Sequence, residues 1–139
     1  MVRRLDRADI PWLGWIFARR YPKYDAGATE AWFVNNILPN PTNYLAIRTD
    51  DAFLIAYITN EPWLPNDWHC YVSVLCADDE KGARIIWQTL TLLRCTRVWA
   101  LYRGCVSWRV YSDTSNQIGP LMRRVGAKPL ESRYGEFFQ

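Results

Sequence analysis

The chain has 139 residues and a formal net charge of +3, with half of its residues apolar and 15% aromatic. That length fits a single domain over residues 1–139, and so apolar a composition excludes an intrinsically disordered chain. No apolar run approaches the ~20 residues of a membrane-spanning helix, and the basic N-terminus reaches Ala18-Arg19-Arg20 without a small-residue cleavage pattern, so no secretory leader is expected.

Val2 to Leu5 reads as a short strand. Asp6 and Asp9 both offer N-caps for the first helix, and Asp9 is the better one, because Pro11 then falls in the first turn, where a missing N–H costs nothing. Trp12, Leu13, Trp15, Ile16 and Phe17 carry that helix to about Arg20, and Pro22 stops it. Thr29 is expected to cap a second helix ending at Pro39-Asn40-Pro41. Residues 43–48 and 53–58 are β-type runs joined by Thr49-Asp50-Asp51, a hairpin pattern. A Pro-rich link, residues 61–67, leads to a third strand over residues 68–75, which completes an antiparallel meander.

At Asp78 the period changes. Asp78-Asp79-Glu80 place acids where the dipole of a starting helix favours them, and Ile85, Ile86, Leu90, Leu92 and Leu93 mark a long helix to about Tyr102. Residues 106–111 alternate like a strand. Asp113 to Asn116 then cap a short helix ending at Gly126, and the tail around Leu130 and Phe137 is strand-like. The order β-α-α-β-β-β-α-β-α-β predicts an α+β domain, one mixed sheet flanked by helices on both faces.

Four cysteines occur with no C-x-x-C, and the lone His69 beside Cys70 completes no zinc set, so no metal is expected. The thiols read as small buried hydrophobes of a reduced, cytoplasmic protein. Fourteen arginines stand against three lysines, but fourteen acids offset them, and a pI of 8.7 argues against a nucleic-acid footprint. Of eight tryptophans, Trp12, Trp15, Trp32, Trp87, Trp99 and Trp108 are expected mostly in the core. Trp63 and Trp68 remain for contacts with a partner.

Three stretches carry a family resemblance: VRRLDRADIPWL, VSVLCADDEKGARIIWQTLTLL and YSDTSNQIGPLMRRVGA. In their order and spacing they resemble the opening strand and helix, the pyrophosphate loop with its long helix, and the closing strand and helix of the GCN5-related N-acetyltransferase (GNAT) superfamily. The resemblance covers essentially the whole chain. A looser one links it to small phage-encoded proteins of the same fold.

The resemblance implies acetyl-CoA as cosubstrate and a primary amine as acceptor. Its pyrophosphate would sit on amides of Ala77, Glu80, Lys81, Gly82, Ala83 and Arg84, and its acyl group beside the backbone of Val74 and Leu75. The family pattern Arg/Gln-x-x-Gly-x-Gly/Ala fits Gly82 but puts Asp79 at the first position and Arg84 at the last. Glu61, Asp67 and His69 are the candidate bases. Where the family often has a catalytic Tyr this chain has Met122, with Ser115 and Asn116 near the family's Asn; Tyr111 and Tyr134 are the candidate replacements. Two functions follow from these departures. One is an acetyl-CoA-dependent N-acetyltransferase. The other is a catalytically silent phage component acting through protein contacts, as an oligomer or in the virion.

Overall fold

The computed structural model describes residues 1–110 and 123–126. Five strands form one sheet in the order β1 (Arg3–Arg4), β2 (Tyr44–Arg48), β3 (Ala52–Glu61), β4 (Leu64–Ala77) and β5 (Ser107–Val110). The first four pair antiparallel, and β5 lies parallel to β4. Helix α1 (Ile10–Arg20) and helix α2 (Ala26–Trp32) lie between β1 and β2. The long helix α3 (Arg84–Tyr102) makes the crossover from β4 to β5. The meander and the mixed sheet agree with the sequence reading. The predicted closing helix and tail strands fall largely outside the described residues, although Gly126 has φ 82, the left-handed conformation of a helix terminus.

Strand β3 shows why the sheet is covered twice. Its continuous apolar run alternates between faces, so Leu54, Ala56 and Ile58 join Leu90, Leu92 and Leu93 of α3. Phe53 and Ile55 join Leu13 and Ile16 of α1 and Phe33 and Ile37 beyond α2. A strand buried on both faces loses the usual polar alternation.

Several local expectations change. The cap of α2 is Asp25, whose Oδ1 accepts from the Ala28 amide at 2.8 Å; Thr29 lies inside the helix. Residues 33–37 then form a π-helical turn, closed by the Leu38 amide on the Phe33 carbonyl at 3.0 Å. The Pro-rich link is mostly strand: β3 runs to Glu61, and β4 begins at Leu64 where β5 does not reach, a position that tolerates Pro65. Trp15 and Trp87 are exposed rather than buried, at 50% and 66%, and Trp63 is exposed at 73%. Trp15 instead carries the Arg19 guanidinium over its ring, 4.7 Å from the centroid.

Asp9 sits at the N-cap position of α1 but makes no side-chain cap there. Its carboxylate accepts from Arg3 at 2.6 and 2.9 Å, from Arg48 at 2.9 Å and from the Asp6 amide at 2.9 Å. Asp6 in turn caps the preceding 3₁₀ turn (Arg7–Asp9) through the Ala8 amide. Arg48 also lies 3.5 Å from the Trp12 ring centroid, so β1, β2 and α1 converge on one buried carboxylate.

The β2–β3 turn is bolted to α3 by Gln88. Its Oε1 accepts from the Thr49 hydroxyl at 2.6 Å and the Asp51 amide at 2.7 Å, and its Nε2 donates to Asp51 Oδ2 at 2.8 Å. Thr49 and Asp51 are buried, so removing Gln88 strands the Asp51 amide, while the Thr49 hydroxyl keeps the Ala52 carbonyl at 3.3 Å and the Asp51 carboxylate keeps Arg84 at 3.4 Å. Gln88→Leu is expected to cost about 2 kcal/mol in urea unfolding, with an unchanged slope because the change is local.

Candidate functional site

Two features of β4 set the site. Ile55 pairs with Val74 and Ala56 with Val72, so Ser73 is an extra residue, a β-bulge, and its hydroxyl donates to the Ile55 carbonyl at 3.1 Å. Bulges bend a strand and collect beside active sites. On its other edge β4 pairs with β5 from His69 to Val72 only; among the described residues, Ser73 to Ala77 have no partner there. Val74 and Leu75, the residues expected beside an acyl group, lie in that stretch next to the bulge. The sequence carries no mark of Ser73, because a bulge leaves no composition signal in an otherwise alternating run.

Beyond Ala77 the chain enters the loop before α3. The three acids predicted there do not all face an incoming anion. Asp78 is buried; its Oδ1 accepts from the Glu80 amide at 3.2 Å and from Arg19 Nη1 at 3.0 Å. Arg19 Nη2 also pairs with Glu80 at 2.8 Å. One arginine at the end of α1 therefore offsets two loop carboxylates. Arg84 leans toward Asp51, at 3.4 Å, while Lys81 stays exposed.

The loop amides divide accordingly. Those of Glu80 and Lys81 are satisfied within the loop, by the Asp78 side chain and carbonyl. Gly82 has φ 61 and ψ −139, a region that residues with a Cβ essentially avoid. It turns the chain into α3, whose first amides lack intrahelical acceptors. Thus the glycine of the motif has a conformational reason, whereas Ala83 and Arg84 simply begin the helix.

The base candidates stand at the other end of β4. Glu61 is exposed opposite Leu64 at the hairpin tip, and Asp67 is half-buried two residues before His69. At ~3.3 Å per residue, His69 lies roughly 16 Å along the strand from Val74, Asp67 roughly 23 Å, and the tip farther still. His69 Nδ1 is 2.7 Å from Ser107 Oγ, which also accepts from Arg109 Nε at 3.3 Å. Tyr44, Tyr57, Tyr71 and Arg109 form one row across β2 to β5, in register. Tyr57 stacks on Tyr71 at 5.6 Å, Tyr44 lies 6.2 Å from Tyr57, and Arg109 lies 5.9 Å from the Tyr71 ring. Tyr71 stands between His69 and the bulge. Sequence reasoning missed this row because cross-strand register is what assembles it.

Tyr111, Ser115, Asn116, Met122 and Tyr134 lie outside the described residues. No disulfide joins any of the four cysteines. Burial pushes Cys70 up to about 12, aided by Cys105, and raises Cys95 and Cys105, so none of these three is an activated nucleophile. Among the described residues no group of His, Cys, Asp and Glu is placed to hold a metal ion, and no helix is long and apolar enough to cross a membrane.

No protein-family model and no curated protein matches this sequence. Solved structures do match it along its whole length. A transcriptional regulator from Bacillus halodurans C-125 superposes with a TM-score of 0.80 at 13% identity, over 99% of each chain. The aminoglycoside 6'-N-acetyltransferase AAC(6')-IG from Acinetobacter haemolyticus gives 0.71 at 14% identity, over 100% of this chain and 98% of that one. The aminoglycoside acetyltransferase AAC(6')-Iy in complex with CoA gives 0.75 at 12% identity, over 100% and 93%. At such identities the likeness is one of fold, and that fold is GNAT.

Proposed function

We propose, with the GNAT fold as premise, that the protein transfers an acyl group from acyl-CoA, acetyl-CoA in the simplest case, to an amine. The observation that carries this reading is the loop before α3. Its buried carboxylate is turned onto Arg19 and the Glu80 amide, so the acid-rich sequence does not present that charge to a ligand. The pyrophosphate donors then narrow to the amides from Gly82 to Arg84, a helix N-terminus suited to an anion. Lys81 adds an exposed cation beside them.

The thioester would lie along the edge of β4 past the bulge, which has no strand partner among the described residues, with Val74 and Leu75 amides orienting its carbonyl. The attacking amine must be neutral, so a base accepts its proton. Of Glu61, Asp67 and His69, His69 is nearest to that segment, and Ser107 holds it in place. His69 lies beyond direct hydrogen-bond reach of that segment, so as base it would take the amine's proton through a relay of waters. That a CoA complex exists for a structure of the same fold supports the choice of donor.

Titrating acetyl-CoA against the purified protein while following tryptophan fluorescence and melting temperature tests the reading. Saturation in the micromolar range with a rise in Tm is expected, since a ligand that binds only the folded state stabilises it by mass action. No response at millimolar acetyl-CoA would sink the proposal and leave a non-catalytic role for the fold.

A further inference from the structure

We propose that the outer face of α3 docks an acidic amphipathic helix of a partner protein. This surface is independent of the acyltransfer reading above. Helix α3 buries Thr89, Leu90, Leu92, Leu93, Thr96 and Ala100 on its side toward the sheet. A helix lying on a sheet needs one apolar side, and its other side is ordinarily polar. In α3 the outer side is apolar as well: Trp87 is 66% exposed, Val98 62%, Leu101 60% and Tyr102 86%.

The exposed residues form one seam. Trp87, Thr91, Arg94, Val98 and Leu101 recur at spacings of four, three, four and three, the pattern by which one helix meets another along its length. All five are exposed, and Tyr102 flanks the seam's end. Thr91 donates its hydroxyl to the Trp87 carbonyl at 2.8 Å, so it asks no polar group of a partner. From Trp87 to Leu101 the seam runs roughly 21 Å, about four helical turns.

Charge selects the occupant. Helix α3 carries Arg84, Arg94 and Arg97 and no acid. Arg84 leans toward Asp51, but Arg94 and Arg97 are exposed and meet no carboxylate among the described residues. A second copy docked antiparallel about a two-fold axis would set Trp87 against Leu101 and Arg94, the midpoint of the seam, against its own equivalent. Like charges closed into a seam repel, so the chain is a poor partner for itself. A lipid surface is a poor match too, because Arg94 lies within the apolar seam, where insertion carries its charge toward the acyl chains. A helix with Asp or Glu opposite Arg94 and Arg97 supplies the missing charge, while its apolar residues cover Trp87, Val98 and Leu101. A charged position inside such a seam also fixes register and partner.

The test uses two fluorescein-labelled peptides of about 18 residues, stapled because so short a helix is marginal in water. One has Leu along its seam and Glu at the positions facing Arg94 and Arg97; the other has Lys in place of each Glu. Binding to the full chain is read by anisotropy at about 0.1 M salt, where pairs in contact are still felt. The acidic peptide is expected to bind in the micromolar range, about tenfold more tightly than the basic one. In the double variant Arg94→Glu, Arg97→Glu that preference should reverse. Val98→Ser with Leu101→Ser should weaken the acidic peptide about tenfold. All four positions are exposed, so circular dichroism and Tm should stay those of the wild type. Equal binding of the two peptides by the wild type overturns the proposal without recourse to any variant, as does the absence of saturable binding at about 0.1 mM. A preference that survives charge reversal overturns it too. So does a dimer in sedimentation that Val98→Ser with Leu101→Ser dissolves, or binding to phosphatidylserine vesicles that charge reversal abolishes while neither peptide binds.

Discussion

Replacing Asp9 by Ala is expected to destabilise the fold by about 3 kcal/mol, the largest effect of any single polar change considered. The carboxylate is only 4% exposed, and it is the shared acceptor for Arg3, Arg48 and the Asp6 amide. Its loss leaves Arg48, itself mostly buried, without its carboxylate partner. Arg3 is half-exposed and can return to water, which keeps the cost at the lower end for a broken buried pair.

The same residue predicts an acid limb. Burial alone would push the Asp9 carboxyl up, but hydrogen bonds from Arg3, the Asp6 amide and Arg48 outweigh it and hold the group at about 2, below its ordinary 3.8. A folded-state value below the unfolded one means stability that is fully present above pH ~4 and lost as pH falls toward 2. That difference corresponds to about 2 kcal/mol. Urea unfolding at stepped pH should show the fall in the wild type. In Asp9→Asn the curve should start lower and flatten between pH ~4 and ~2. An acid limb of equal depth in the variant would assign it to other carboxylates.

The second large effect is functional. Gly82→Ala is expected to weaken acetyl-CoA binding by about 10- to 100-fold while changing global stability little. A Cβ at Gly82 meets nothing within 4 Å, so the penalty is purely one of backbone conformation. At φ 61 and ψ −139 that penalty is of order 1–3 kcal/mol, and an exposed loop relieves it by changing shape. The relaxed loop no longer aims the amides from Gly82 to Arg84 at one point. Gly104 supplies the control: it has φ 74 and equally open surroundings, but it follows the opposite end of α3. Gly104→Ala should lower Tm and leave the acetyl-CoA titration unchanged. Equal affinity in wild type and Gly82→Ala would separate the loop from ligand binding.

Much of the fold was legible because hydrophobic periodicity is a local property. The run from Phe53 to Ile58 announces a strand covered on both sides, and the spacing of Leu90, Leu92 and Leu93 announces the face of α3 that covers it. Caps were read less well: Asp25 supplanted Thr29, and Asp9 turned from a cap into an ion-pair centre, because several nearby residues can compete for one role. The candidate site was legible only in part. Gly82 and the Val74–Leu75 segment came from motif spacing, whereas the Ser73 bulge and the tyrosine row depend on cross-strand register.

By itself, then, the sequence determined which segments are helix and strand, their order, and that the sheet is buried on both faces. Those properties follow from side-chain patterns within a few residues. Only the tertiary structure decided what the charges do. Asp78 meets Arg19 from 59 positions away and Gln88 meets Thr49 from 39 positions away, partnerships that no local pattern encodes. A carboxylate's effect on an anion depends on where its neighbouring cation sits, and that position exists only once the helices are packed on the sheet.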